Sequence, residues 1–427
     1  MTSVAEPLTT PTPVAPSAEE SRSELGSYFV GRRYVQLVLV LGLLSAIGPL
    51  TIDTYLPALP ELSAQLGATD AQAQLTITGL LVGLGLGQLV IGPLSDAVGR
   101  RKPLLWGLAG HAVMSVLCAL APSITLLAVT RTLQGVAGAA VAVVAMAIVR
   151  DVFSGIRAAQ LLSRLILVLG IAPILAPSLG SALMTFTSWR GIFLVLAGTA
   201  VALLALAVFG LRETLPVHRR RAGTVRGSLR AYRTLFTDRL FVAMVLVAGL
   251  MFATLMAYIS GAPFLLQGLY GLTPQQFGLA FGVNAVGLIV MTQVNPVLVR
   301  RYSPVGVLTG AVVVAFLSAA ALLVTSITGI GGLWGFMLPL FFLVGAAGLG
   351  FPNAPAIALN RHGEAAGTAA ALLGASQFLI GGLVAPLVGA LADGSAVPMA
   401  GVLLGTTGLA LVVFAAVRRE LDAVSYA

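Results

Sequence analysis

Charge is what this 427-residue sequence has least of: only 9% of its residues are Asp, Glu, Lys or Arg, against roughly 25% in a soluble domain. With 58% hydrophobic residues and a mean hydropathy of +1.00, that scarcity excludes an ordinary soluble globule. Cysteine is nearly missing as well. The single Cys118 lies in an apolar run, so there is no disulfide framework and no thiol pair for redox or metal-cluster chemistry. Acids are scarcer than bases, 15 Asp+Glu against 24 Lys+Arg, for a net charge of +9. In a soluble protein that surplus would suggest nucleic acid as a partner. Here the bases sit in short segments between long apolar runs and read as membrane topology. No GxxxxGK[ST] phosphate loop occurs, which argues against direct drive by ATP. The apolar runs contain no nucleophile–base pair and no metal-ligand cluster, so the expectation is a protein that is not an enzyme and has no metal or organic cofactor.

What is present is a series of apolar runs at about 35–56, 72–94, 103–121, 124–149, 159–184, 191–211, 240–266, 276–298, 304–327, 332–356, 365–391 and 396–417. Each is long enough to cross a bilayer as a helix of roughly 18–20 residues. The fold class expected is an all-α membrane protein, with twelve transmembrane helices in two six-helix halves. Residues 1–33, rich in Pro, Ser, Thr and Glu, read as a disordered cytoplasmic tail without the layout of a secretory signal. Residues 34–211 then form a first bundle, 212–239 a basic cytoplasmic linker, 240–417 a second bundle and 418–427 a short cytoplasmic tail.

Orientation follows from Lys and Arg. With the N-terminus inside, 22 of the 24 basic residues fall at cytoplasmic ends, and only Arg131 and Arg190 do not. A wrong number of spans would scramble that sorting. Both termini are therefore expected in the cytoplasm and the chain in the cytoplasmic membrane, as a monomer in contact with lipid. The linker's arginines invite a second reading as a surface for anionic lipid, although topology and tethering account for them. The halves also echo each other. GQLVIGPLSDAVGRRKPLL after the second run is matched by MTQVNPVLVRRYSPVGVL after the eighth, both ending in an Arg-Arg loop, and the second copy lacks the acid.

The acid that stands out is Asp53, the one carboxylate clearly inside an apolar run of the first half. A charge at a helix centre costs roughly 2.5–3.5 kcal/mol on insertion scales, which makes such a residue a functional hypothesis with a partner to be named. The partner expected is Arg131, roughly 10 Å deep at 1.5 Å per residue. Burial disfavours an ionised carboxylate and a nearby cation favours it, so the two together can tune a proton site and titrate as a unit. A structural pair fastening two helices is the bland alternative. Coupling by carboxylates is expected to be confined to the first six helices, with the last six shaping the substrate cavity. Tyr55, Gln134, Tyr258, Phe264, Asn284, Asn353 and Gln377 are candidate cavity residues, with interhelical hydrogen bonding and interface anchoring as the competing roles. His111 lies mid-run and reads as a packing histidine, second in line for proton coupling.

Two further motifs carry conformational chemistry. Gly92-Pro93-Leu94-Ser95-Asp96-Ala97-Val98-Gly99-Arg100-Arg101-Lys102 combines small residues, which let helices approach, with an acid at a helix end and a basic cluster. LVLGIAPILAPSLGSALMTF in the fifth run puts Gly170, Pro173, Pro177 and Gly180 in one helix, which predicts bending. The first motif resembles the loop 2–3 signature of the major facilitator superfamily. The second resembles the antiporter motif of that superfamily's drug:proton exchangers, with Ala176 and Ser181 where Gly is usual. Together with RDVFSG, SWRGIF, YISGAPFLLQGLYGLTPQQFGLAFGVNA and AAGTAAALLGASQ, the first and fourth runs are similar to the bicyclomycin/chloramphenicol-resistance (Bcr/CflA) group over nearly the whole chain beyond the tail. The resemblance implies a conformational latch at Gly92, Asp96, Gly99, Arg100 and Arg101, and roles for Asp53 and Arg131 in proton coupling and drug binding. It implies export of small hydrophobic or amphipathic drugs in exchange for protons. An exporter of an endogenous metabolite such as a sugar, amino acid or siderophore is the alternative within transport, and a non-transporting membrane sensor is the alternative outside it.

Overall fold

A chain that has no water to satisfy its backbone N–H and C=O groups can satisfy them internally as helices, and among the described residues the computed structural model is helical throughout. It describes residues 31–153, 161, 165, 168, 172–173, 175–217, 220, 233–360 and 366–425. The helices are α1 (Arg32–Asp53), α2 (Leu59–Leu66), α3 (Asp70–Val98), α4 (Arg101–Ala119), α5 (Ile124–Val152), α6 (Trp189–Gly210), α7 (Arg239–Pro263), α8 (Pro274–Thr328), α9 (Gly332–Asn360), α10 (Ala366–Ala390) and α11 (Val397–Ser425). A 3₁₀ turn, Leu56–Ala58, joins α1 to α2, and a π turn, Phe264–Leu269, extends α7.

Ten described stretches are long and apolar enough to cross a membrane. The 55 residues of α8 would reach roughly 80 Å as one rod, far beyond a hydrocarbon core of about 30 Å. Ser303 breaks it, at φ 62° and ψ 158°, just before Pro304, whose ring disfavours helix in the preceding residue. α8 is thus two spans, 274–302 and 304–328, as the sequence predicts. The fifth expected span lies partly outside the described residues, and its end, 175–183, is helical.

The halves repeat one local device. Thr69 before α3 and Thr273 before α8 each accept from a backbone N–H three residues on, Gln72 and Gln276, whose side chains accept from the threonine amides. These capping boxes satisfy N–H groups that open every helix, and they start the second span of each half. The repeat is therefore marked at both ends of that span.

The buried cores show how the halves sit. One runs through both, from Ile52, Tyr55, Leu56 and Leu80 to Met256, Tyr258, Phe277 and Val388. The other two are private: Leu37, Leu104, Val144 and Leu203 in the first half, Leu235, Met244, Leu308 and Phe414 in the second. The shared core lies away from the Gly99–Lys102 loop, and each private core lies toward it. Hydrogen bonds close the same far end. Gln74 Nε2 donates to the Ser260 carbonyl (3.3 Å), Gly389 N donates to Gln74 Oε1 (2.8 Å), Gln267 Nε2 donates to the Pro57 carbonyl (3.1 Å) and Ser181 Oγ donates to the Pro274 carbonyl (2.7 Å). α3 and α10 also run antiparallel across the seam in a steady register: Gly389 lies against Ala71, Gly382 against Leu81, Gly85 against Ala375 and Gly374 against Gln88. The halves are sealed at the far end.

Candidate functional site

The site begins where α1 stops. Asp53 is its last residue, and Pro57 and Pro60 follow, so the helix cannot continue through them. A helix end leaves its final carbonyls without intrahelical donors. The Thr51 carbonyl is one of these, and it accepts from both Nη1 and Nη2 of Arg131, each at 3.1 Å. Arg131 Nη1 also donates to Gln134 Oε1 at 2.7 Å, one turn along α5. The guanidinium carbon stands 4.2 Å from the centre of the Tyr55 ring and 5.5 Å from that of Phe193, within the range of cation–π attraction. The side chain is fully buried, at 0% exposure.

Asp53 is 3% exposed, and its Oδ1 has no hydrogen-bond partner. Among the described residues no ion pair joins it to Arg131, which corrects the expected pairing. The physical reason is local: the broken helix and Gln134 supply the neutral oxygens that engage the guanidinium. The network extends further. His111 Nε2 lies 2.9 Å from Thr51 Oγ1, Ser115 Oγ donates to the His111 carbonyl at 2.7 Å, and Gln134 Nε2 donates to Ser115 Oγ at 2.7 Å. His111 is thus a satisfied interior residue tying α1 to α4. Thr51 and Ser115 carry no signal in the sequence, being small hydroxyl residues in apolar runs.

The other candidate cavity residues are packed rather than open in this conformation. Tyr55 Oη lies 3.1 Å from Thr76 Oγ1, and Asn284 Nδ2 donates to Tyr258 Oη at 3.1 Å. Asn353 Nδ2 donates to Asn295 Oδ1 at 2.6 Å. Gln377 is half-buried on α10. Phe264 borders a cavity of about 330 Å³ between the halves at the far end, shared with Asp70, Gln74 and Met399.

The antiporter-like motif meets α1 beside Asp53. Gly170 lies outside the described residues, Pro173 is half-buried and Pro177 is buried. Gly180 faces the Thr54 carbonyl so closely that a Cβ there would collide with it. Ser181, where the family pattern has Gly, uses its hydroxyl on the Pro177 and Pro274 carbonyls (2.9 and 2.7 Å) and so reaches the second half.

At the opposite end the loop motif is a charge knot within the first half. Arg100 meets Asp96 Oδ1 (2.6 Å), Asp151 Oδ2 (2.8 Å) and Ser95 Oγ (2.7 Å). The amides of Arg100 and Arg101 donate to the Glu213 carboxylate at 2.8 and 3.3 Å. Burial works against the Arg100 charge, and Asp151 with Asp96 outweighs it, holding the guanidinium above its ordinary range. Gly99, at φ 98°, adopts a conformation side chains avoid, and its missing Cβ leaves room for Glu213. Gly92 does not fit the expected close approach: a Cβ there would meet nothing within 4 Å. Asp151 and Glu213 are the counter-charges that reading by motif missed. Both are acids at span ends, the one signal that would have found them.

Among known proteins, residues 41–386 match the Major Facilitator Superfamily. The chain is 36% identical over 396 residues to the MFS-type transporter YdgK of Bacillus subtilis, covering 91% of this chain and 97% of that one. It is 30% identical over 362 residues to a bicyclomycin resistance protein homolog of Haemophilus influenzae, covering 85% and 91%. A crystal structure of a D-xylose–proton symporter superposes with a TM-score of 0.73 over 89% of this chain and 97% of that one, at 14% identity, which speaks to the fold alone. The chain belongs to the Major Facilitator Superfamily, as a multi-pass transporter of small molecules of the Bcr/CflA type and not as an enzyme.

Proposed function

We propose that this transporter exports small hydrophobic or amphipathic drugs, of the bicyclomycin/chloramphenicol kind, across the cytoplasmic membrane in exchange for protons, by alternating access. The observation that carries the reading is the buried Asp53 oxygen without a partner, at the helix break where the shared core begins. An ionised carboxylate buried without a partner is costly, so this packing suits Asp53 with a proton on it. Loss of that proton creates a charge in need of a cation or a polar ligand. Arg131, engaged with neutral oxygens, and a bound substrate then compete to supply it, and that competition is the coupling. The proton is the only coupling ion in this scheme.

Positive charge faces the cytoplasm in this reading, which puts both termini, the 212–239 linker and the charge knot inside. The sealed end then faces out, and substrate enters from the cytoplasm between the private cores. A monomer suffices, because the two halves of one chain enclose the site.

Drug uptake into everted vesicles, driven by an imposed pH gradient (acid inside) and collapsed by a protonophore, tests the proposal. Asp53→Asn is expected to abolish gradient-driven exchange while membrane insertion and thermal stability stay intact. Exchange at full rate in that variant would sink the assignment. Indifference of every drug tested to the wild-type protein would sink drug export itself.

A further inference from the structure

The clearest feature left unused by this transport cycle lies on the outer flank of the second half. A groove of about 500 Å³ opens between the two arms of α8 and α9, walled by Val290, Leu298, Tyr302, Gly310, Phe342 and Leu349. Its lining is almost entirely apolar, and Val290, Tyr302 and Phe342 are among its exposed residues. From Gly287 to Tyr302 it runs roughly 20 Å along the first arm, at 1.5 Å per residue, which exceeds half of a hydrocarbon core of about 30 Å. Gly310 makes part of this room, since a Cβ there would meet nothing within 4 Å.

The mouth of the groove is basic. Arg301 stands with its guanidinium carbon 5.4 Å from the centre of the Tyr302 ring, and Arg300 is its exposed neighbour. Among the described residues neither has an ion-pair partner. The contrast with the first half is informative. There the Arg100 guanidinium is met by Asp96 and Asp151, and Glu213 takes the amides of Arg100 and Arg101. The second copy of the turn, from Asn295 to Arg301, contains no acid. The repeat has kept two cations and lost the acids that meet the first of them, beside an apolar slot one leaflet deep.

We propose that this groove seats an acyl chain of an anionic phospholipid, whose phosphate rests on Arg301 and Arg300. An arginine pair at a span end suits the negative leaflet, and the slot adds a shaped place for the chain. The site is distinct from the 212–239 linker, which has no such slot among its described residues.

Lipid retention by the purified full-length protein, read by native mass spectrometry after incubation with phosphatidylglycerol or phosphatidylcholine, tests the assignment. The wild type is expected to hold one phosphatidylglycerol in preference to phosphatidylcholine. The double variant Arg300→Ala, Arg301→Ala should lose the preference, by roughly fivefold for each arginine, while still binding phosphatidylcholine. Gly310→Leu, which fills the slot, should lose retention of both lipids with the arginines intact. An unchanged preference in the double variant would overturn the proposal, as would a preference that disappears only on replacing Arg219, Arg220 and Arg221. Two further outcomes also overturn it. If Gly310→Leu lowers stability in lipid-free detergent but leaves lipid retention alone, a segment of the chain itself fills the groove. If it lowers only drug export, the groove holds substrate.

Discussion

At the residue scale, the arrangement turns on a cation held without a carboxylate. Arg131 places both Nη groups on the Thr51 carbonyl, adds Gln134 through Nη1 and lies over the Tyr55 ring. A planar fork meets all three demands at once, and an ammonium on a flexible stem does not. Arg131→Lys is therefore expected to lose at least one charged hydrogen bond, about 1.5–3 kcal/mol, and to impair exchange despite keeping the charge. Transport assays with thermal unfolding of the purified variant check this; full exchange in Arg131→Lys would show that charge alone matters. The sequence exposes Asp53 and Arg131 because a lone charge in an apolar run is conspicuous. It does not expose how they relate. Beside Gln134, the group that engages Arg131 is a backbone oxygen, released by a helix break that the prolines at 57 and 60 foreshadow but do not locate.

At the element scale, α8 shows how a turn is forced on a helix. Ser303 adopts φ 62° and ψ 158°, the only described residue other than glycine with positive φ. A side chain in that region costs of order 1–3 kcal/mol. Its hydroxyl recovers part of this by accepting from Gly306 N at 3.2 Å, about 0.5–1.5 kcal/mol. Ser303→Gly should hold or raise the unfolding temperature, and Ser303→Ala, which keeps the strain and loses the bond, should lower it. Equal losses in both would mean the turn is unstrained. Charge at Arg300-Arg301 and the proline at 304 made this turn readable, so the double span was legible despite unbroken hydropathy. The charge knot was legible only in part. Arg100 and Asp96 lie four residues apart at the turn between α3 and α4, whereas Asp151 and Glu213 arrive from distant span ends that only the packing of the helices brings near.

At the scale of the whole molecule, the α3–α10 seam holds a steady register as far as Gln88 and Gly374 and carries no close contact at Gly92 or Gly367. One further turn on each helix would bring Gly92 opposite Ala370. Cysteines at those two positions should cross-link poorly in the conformation seen here and well once the basic ends close, for instance with a saturating ligand. Cys118 is buried beside Thr130 and does not interfere. Equal yields in both conditions would show that the seam does not extend. That the chain is an all-helical membrane protein of many spans was readable in the sequence because span length and Arg placement are physical requirements of a bilayer. Which end is shut was not, since the polar pairs that shut it, such as Gln74 with Ser260, use ordinary residues.

The single shared core has a consequence for what can pass. Parting the halves at the sealed end means splitting the packing between Ile52, Tyr55 and Leu56 on one side and Met256, Tyr258 and Phe277 on the other. The walls laid bare are greasy on both sides, and water wets such walls poorly. A passenger with an oily face shields them as it moves, whereas a fully hydrated solute leaves them bare. In the proposed cycle the seal thus acts as a filter: the surface that keeps this end closed also sets the polarity of what can pass through it.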